Sequence, residues 1–222
     1  MEQKDMVIVG AGGLGREVMW QLDIKNQQTA RYNILGFVDN TAALQGKSIN
    51  GYPVLGDESW LLARKTDICV LICIAKPGIR RAIFERLSEN TCISFPNFHA
   101  ADVCCSDFIQ TGRGCIICLA SILTVNINIG DFVIMCASCV VGHDATIGDF
   151  TTLYPGVTVS GAVHIGTDSE IGSNTTIIQG KNIGQNTIIG AGAVVTKDMP
   201  AFVTAAGVPA RVFNDSGKDT LP

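Results

Sequence analysis

The feature that most limits what this chain can fold into is an apolar residue at every sixth position of its second half. From Ile129 the series runs through Met135, Val141, Ile147, Leu153, Val159, Ile165, Ile171, Ile177, Ile183 and Ile189 to Val195, and all twelve members are apolar. Gly follows directly in seven of the twelve cases, as at Gly130, Gly142 and Gly190. Four residues after each member the side chain is mostly small or β-branched, as at Val133, Ala145, Thr151, Val157 and Ala193. The phase runs back less cleanly through Leu123 and Ile117. A period of six is not helical. It fits a flat strand of a few residues and then a turn that needs Gly, Asn or Asp, repeated. Such units stack into a β-solenoid whose apolar positions line one continuous interior.

The first 95 residues follow another rule. MVIVGAGGLGREVMWQL reads as a strand, a glycine turn and a helix, and YNILGFVDN as a second strand ending in Asp39. TDICVLICIA reads as a buried strand and IRRAIFERLSEN as an amphipathic helix. Strand and helix in alternation imply a small parallel sheet. The expected organisation is therefore a Rossmann-like domain over 1–95, a solenoid over 96–213 and a polar tail over 214–222, with the junction in CISFPNFHA. Gly10 to Gly15 match G-x-G-x-x-G, which lets the backbone approach a phosphate at a helix N-terminus. Asp39 is placed to accept from a ribose or a base. About 95 residues leave little room for a full dinucleotide fold, so a nucleotide-sugar suits this domain better than NAD.

Composition narrows the partners. Charged residues are 16% and hydrophobic residues 47%, which removes the disordered class. A net charge of -4 argues against nucleic acid. The longest apolar run, Ile68 to Ala75, is far short of a membrane span, which needs about 20 residues. The mean hydropathy of +0.31 then reports buried β-structure. MEQKDMVIVG has no signal-peptide pattern, and an odd count of nine cysteines, several of them clustered in apolar surroundings, fits a reducing compartment, so the expected location is cytoplasmic. Cys115/Cys118 and Cys136/Cys139 read C-x-x-C, but they fall in repeat slots that elsewhere hold Val, Ala and Thr. They are read as core residues, and no metal is expected.

One of the three histidines, His143, sits inside the repeat in VVGHDATIGDF and is followed by Asp144. It takes the third slot of its hexapeptide, where other repeats carry Asp131, Asp149, Gly161, Thr167, Ser173 and Gln185. Slot position alone leaves it open whether His143 is a solvated turn residue or a general base.

The chain as a whole resembles the NeuD/PglD sugar acyltransferases, through GAGGLGREV, FVDN, VVGHDATIGDF, IGAGAVVTKDMP and AAGVPARV. The resemblance covers nearly all of residues 5–213 and implies that the solenoid is a left-handed parallel β-helix. It implies acetyl transfer from acetyl-CoA to an amino group of a nucleotide-linked amino sugar of the 4-amino-4,6-dideoxy type. O-acetylation of sialic acid or a related sugar is the alternative. It places the general base on His143, the orienting carboxylate on Asp144 and the oxyanion-holding amide on Gly161. Acetyl-CoA is expected along Thr152, Gly161, Ser173 and Ala191, and the sugar nucleotide near Gly12, Gly13 and Asp39. A homotrimer with active sites between subunits is implied. Thr152 and Leu14 stand where many members carry His. His99 and His164 receive no role. A zinc enzyme of the carbonic anhydrase kind, a non-catalytic scaffold and an NAD-dependent reductase are the rival classes. Only His143 and His164 lie in the regular repeat, and 21 residues is not a whole number of three-sided coils.

Overall fold

The structure, a computed structural model, describes residues 3–214. The expected tail lies outside the described residues beyond Asn214. Contacts divide the chain into two compact units between Ala101 and Asp102.

The first unit begins with β1 (Lys4–Val9), α1 (Gly13–Thr29), β2 (Tyr32–Val38), β3 (Ser48–Ile49) and β4 (Tyr52–Gly56), followed by α2 (Glu58–Leu62), β5 (Ile68–Ile72), α3 (Pro77–Leu87) and β6 (Ile93–Ser94). The strand order is β3-β4-β2-β1-β5-β6. β1 pairs in parallel with β2 and β5, and only β3 and β4 run antiparallel. A strand covered on both faces reads as an unbroken apolar run, and every residue of β5 is buried. α3 starts at Pro77, two residues before the expected IRRAIFERLSEN, because proline's fixed φ suits the first helical position. The last glycine of the turn is required by close packing. A Cβ on Gly15 would stand 1.7 Å from the Gly10 carbonyl oxygen, so no other residue lets α1 lie this close to β1.

The second unit is a left-handed parallel β-helix. Each coil takes 18 residues and three short strands, as in the pairings Thr152 with Glu170, Thr158 with Thr176 and His164 with Asn182. In chain order, face 1 is built from strands such as Val140–Val141 and Thr158–Val159. Face 2 contains Thr146–Ile147 and His164–Ile165, and face 3 contains Thr152–Leu153 and Glu170–Ile171. The second residue of each pair points inward, and Leu123, Met135, Val141, Ile147, Leu153 and their successors form one buried core. Each such side chain contributes about 1.5–3 kcal/mol on burial. Hydroxyls in this interior are satisfied by the next coil: Thr151 Oγ1 donates to Gly166 O at 3.0 Å and Thr175 Oγ1 to Gly190 O at 3.1 Å.

The corners obey the same period. Every sixth residue from Gly114 to Gly192 has a positive φ, including Asn126, Asp144, Ala162 and Asn174. This left-handed conformation turns the chain through each corner. The cysteine pairs are core residues. Cys115, Cys118, Cys136 and Cys139 are all buried, and burial pushes the Cys139 thiol up to about 12. Strand Arg211–Asn214 folds back antiparallel on Thr204–Ala206 near the end of the described residues. No helix among the described residues is long and apolar enough to cross a membrane.

Candidate active site

The corner between faces 1 and 2 gathers the chemistry. His143 and Asp144 follow the strand Val140–Val141, and their side chains are 64% and 55% exposed. Asp144 Oδ2 lies 2.8 Å from His143 Nδ1. The other oxygen, Oδ1, accepts from Asn126 Nδ2 at 3.2 Å, one coil earlier. These two contacts, the histidine's first, hold the Asp144 carboxyl below the usual carboxylate range. A carboxylate at Nδ1 favours the tautomer of a neutral imidazole that carries its proton there and leaves Nε2 to accept.

Nε2 faces Gly161, the next residue of the same axial column. A Cβ on Gly161 would stand 2.5 Å from that nitrogen, so the imidazole fills the space a side chain would need. His143 O accepts from Ala162 N at 2.7 Å, and Gly161 O from Gly180 N at 3.0 Å. The Gly161 N–H makes no hydrogen bond among the described residues. An imidazole and a glycine with an unused amide donor thus lie side by side.

The other expected residues are elsewhere. Ser173 and Ala191 stack one coil apart at the corner between faces 3 and 1, where Gly192 N donates to Ser173 O at 2.8 Å. Thr152 is fully buried on face 3, so a single chain does not bring it to His143. His164 points outward from face 2. Nε2 of His99 is buried without a partner, and burial, then Lys25, lowers its pKa.

In the first unit, Gly12 and Gly13 have open space where a Cβ would point. No side chain caps α1, and its first turn carries no acidic residue, which leaves its N-terminus suited to an anion. Asp39 is more committed than expected. Its Oδ2 accepts from Ala11 N and its Oδ1 from Thr41 N, both at 2.8 Å. Partial burial raises its pKa, but these bonds outweigh burial and leave it lowered. Asp39 therefore ties the glycine turn to the end of β2. Sequence reasoning passed over two features here. One is Asn126. The other is the buried Glu58, which pairs with Arg86 at 2.7 Å and accepts from Asn40 Nδ2, also at 2.7 Å.

The comparisons with known proteins follow this division. Residues 5–87 match the PglD N-terminal domain, and residues 144–179 match the bacterial transferase hexapeptide of six repeats. A comparison with curated protein sequences finds no match. Among solved structures, WeeI from Acinetobacter baumannii is 31% identical with a TM-score of 0.86, over 95% of this chain and 100% of that one. The chain belongs to the NeuD/PglD-like sugar acyltransferases. Two further structures agree with this NeuD/PglD membership. The acetyltransferase domain of PglB from Neisseria gonorrhoeae, in complex with acetyl coenzyme A, is 28% identical with a TM-score of 0.87, covering 96% and 100% of the two chains. A histidine-to-asparagine mutant of perosamine N-acetyltransferase from Caulobacter crescentus, in complex with CoA and GDP-perosamine, is 26% identical with a TM-score of 0.85, covering 95% and 97%.

Proposed function

We propose that this NeuD/PglD-like protein transfers an acetyl group from acetyl-CoA to the amino group of a nucleotide-linked amino sugar of the 4-amino-4,6-dideoxy type. The observation that carries the reading is the placement of His143 Nε2 against Gly161, with Nδ1 held by Asp144. In this reading His143 removes the proton as the acceptor nitrogen attacks the thioester carbonyl. The Gly161 N–H receives the developing oxyanion. Asp144 holds the tautomer and stabilises the imidazolium that forms. Transfer is direct, with no acyl-enzyme and no metal.

The acceptor's diphosphate is assigned to Gly12 and Gly13, with Asp39 shaping the turn beneath it. The donor is assigned to Gly161, Ser173 and Ala191. Thr152 has no exposed surface in the single chain and so offers acetyl-CoA no contact there. The acetyl coenzyme A of the PglB domain and the GDP-perosamine of the perosamine enzyme support these two ligand classes.

We also propose a homotrimer located in the cytoplasm. The outward residues of face 1 include Ile122, Val140, Thr158, Thr176 and Val194, and those of face 2 include Gln110, Asn128, Thr146 and Asn182. None of these carries a charge. They flank the His143 corner, and His143 itself is 64% exposed, so a neighbouring copy would close over the base. A rotationally closed ring satisfies such head-to-tail contacts without leaving a face open.

The test is incubation with acetyl-CoA, a panel of nucleotide-linked amino sugars and free sialic acid. CoA release is followed by chromatography, because the exposed Cys104 and Cys105 would consume a thiol reagent. CoA release with an amino-sugar nucleotide supports the reading. Release only with sialic acid moves it to O-acetylation, and release with none of the panel overturns it.

A further inference from the structure

We propose that Asn126 is a positioning residue for acyl transfer, the third member of a relay that runs Asn126, Asp144, His143. The inference rests on the reading of His143 as the base. Asn126 and Asp144 occupy equivalent corners one coil apart, both with left-handed backbone, φ 56° and 60°. The Asn126 amide donates to Asp144 Oδ1 at 3.2 Å, while Oδ2 meets His143 Nδ1 at 2.8 Å. A carboxylate pinned through one oxygen cannot rotate without breaking that bond, so the other oxygen stays aimed at Nδ1. That keeps the proton on Nδ1 and the lone pair on Nε2, over Gly161.

The corner itself does not require asparagine. Equivalent left-handed positions hold Ala120, Phe132, Ser138, Phe150 and Ala162. What Asn126 adds to the shape of the turn is one amide donor directed along the solenoid axis at a carboxylate. The solenoid also supplies its own comparison. Arg113 Nε donates to Asp131 Oδ2 at 3.1 Å, and Arg113 N to Oδ1 at 3.0 Å, also one coil apart and with no histidine at the end of that chain of bonds. This second pair is the control for an axial contact to a corner aspartate that serves the solenoid alone.

The experiment compares kcat, both KM values and the pH profile for Asn126→Ala, Asn126→Gly, Asn126→Asp and the control Arg113→Ala. Glycine at 126 removes the amide without any left-handed strain, so a folding defect in the alanine variant does not obscure the result. Melting temperatures are read alongside. Removal of the amide is expected to lower kcat about 3- to 10-fold, with both KM values within about twofold, since only the aim of the base is lost. Asn126→Asp sets a second carboxylate beside the first. The added negative charge favours the imidazolium form of His143, and a base must be neutral to act. The acidic limb of kcat should therefore move to higher pH by about one unit. Arg113→Ala should keep wild-type kcat. Wild-type kcat and pH profile in the Asn126 variants, or an equal fall in Arg113→Ala, overturn the inference. If those variants are neutral while His143→Ala is inactive, this inference alone fails. If His143→Ala is active, the base reading fails and takes the relay with it.

Discussion

His143 and Asp144 are neighbours in the chain but sit in different backbone environments. Asp144 occupies the left-handed corner with φ of 60°, a conformation that Asp and Asn tolerate. The corner turns its carboxylate back onto the imidazole before it. General-base catalysis contributes about 10²- to 10⁴-fold. His143→Ala should lower kcat by about that factor, and circular dichroism should show an intact fold because the side chain is exposed. Asp144→Asn should cost less, since it removes the orienting charge but keeps the base. A His143→Ala enzyme within about threefold of wild type would reduce the imidazole to a solvated turn residue. Gly161→Ala tests the same geometry from the other side. Its Cβ would overlap the imidazole at Nε2, and a misplacement of about 1 Å can lower turnover about 100-fold. A Gly161→Ala enzyme with unchanged kcat would show that the observed imidazole position is not the working one. His99 supplies a pH prediction. Its folded pKa is lowered, so its contribution to stability is complete above the unfolded value of about 6.5 and is lost as pH falls from there to the folded value. Melting temperature should therefore begin to drop as pH falls below about 6.5, and His99→Gln should flatten the drop.

At the scale of elements, the glycine turn between β1 and α1 combines two different demands. Gly15 is held by packing and Gly12 by nothing in the protein, since its Cβ position is open and its φ is -72°. Gly15→Ala should destabilise the first unit by about 1–3 kcal/mol or more, as an overpacked contact, visible as a lower urea midpoint. Gly12→Val should leave that midpoint in place and weaken nucleotide-sugar binding, with acetyl-CoA affinity nearly unchanged. Equal loss of both ligands from a folded Gly12→Val protein would count against assigning the acceptor to this turn. The pattern G-x-G-x-x-G was legible in the sequence, but the separate jobs of its glycines were not. Gly15 is fixed by the Gly10 carbonyl across the turn, and Asp39 by amides at Ala11 and Thr41, the first 28 residues away. The solenoid was more legible because a period of six is itself the geometry. Met135, Val141 and Ile147 all point inward as their phase requires. Asn126 escaped that reading because its contact with Asp144 joins positions 18 residues apart. A three-sided coil aligns corners 18 residues apart, but the phase does not show that the side chains at 126 and 144 meet.

The whole molecule places its proposed base in the open, with no part of the described solenoid covering it. Sedimentation should report a trimer, and a stable, active monomer would remove both the trimer and the shared active site. A charge on the uncharged face 1, as in Val140→Glu or Thr158→Glu, should shift sedimentation toward the monomer and reduce activity in parallel. The 18-residue coil, seen in pairings such as Thr146 with His164, has a consequence for length. Loss of a whole coil on the C-terminal side of the site would leave every remaining column aligned and shorten the prism by one storey. Loss of six residues would rotate everything downstream by a third of a turn, carrying Ser173 and Ala191 to a different edge of the prism. Loss of one residue would put charged and apolar side chains into each other's places along the rest of the chain. Length in this domain is therefore quantised, and a viable insertion or deletion between His143 and Ala191 has only one natural step.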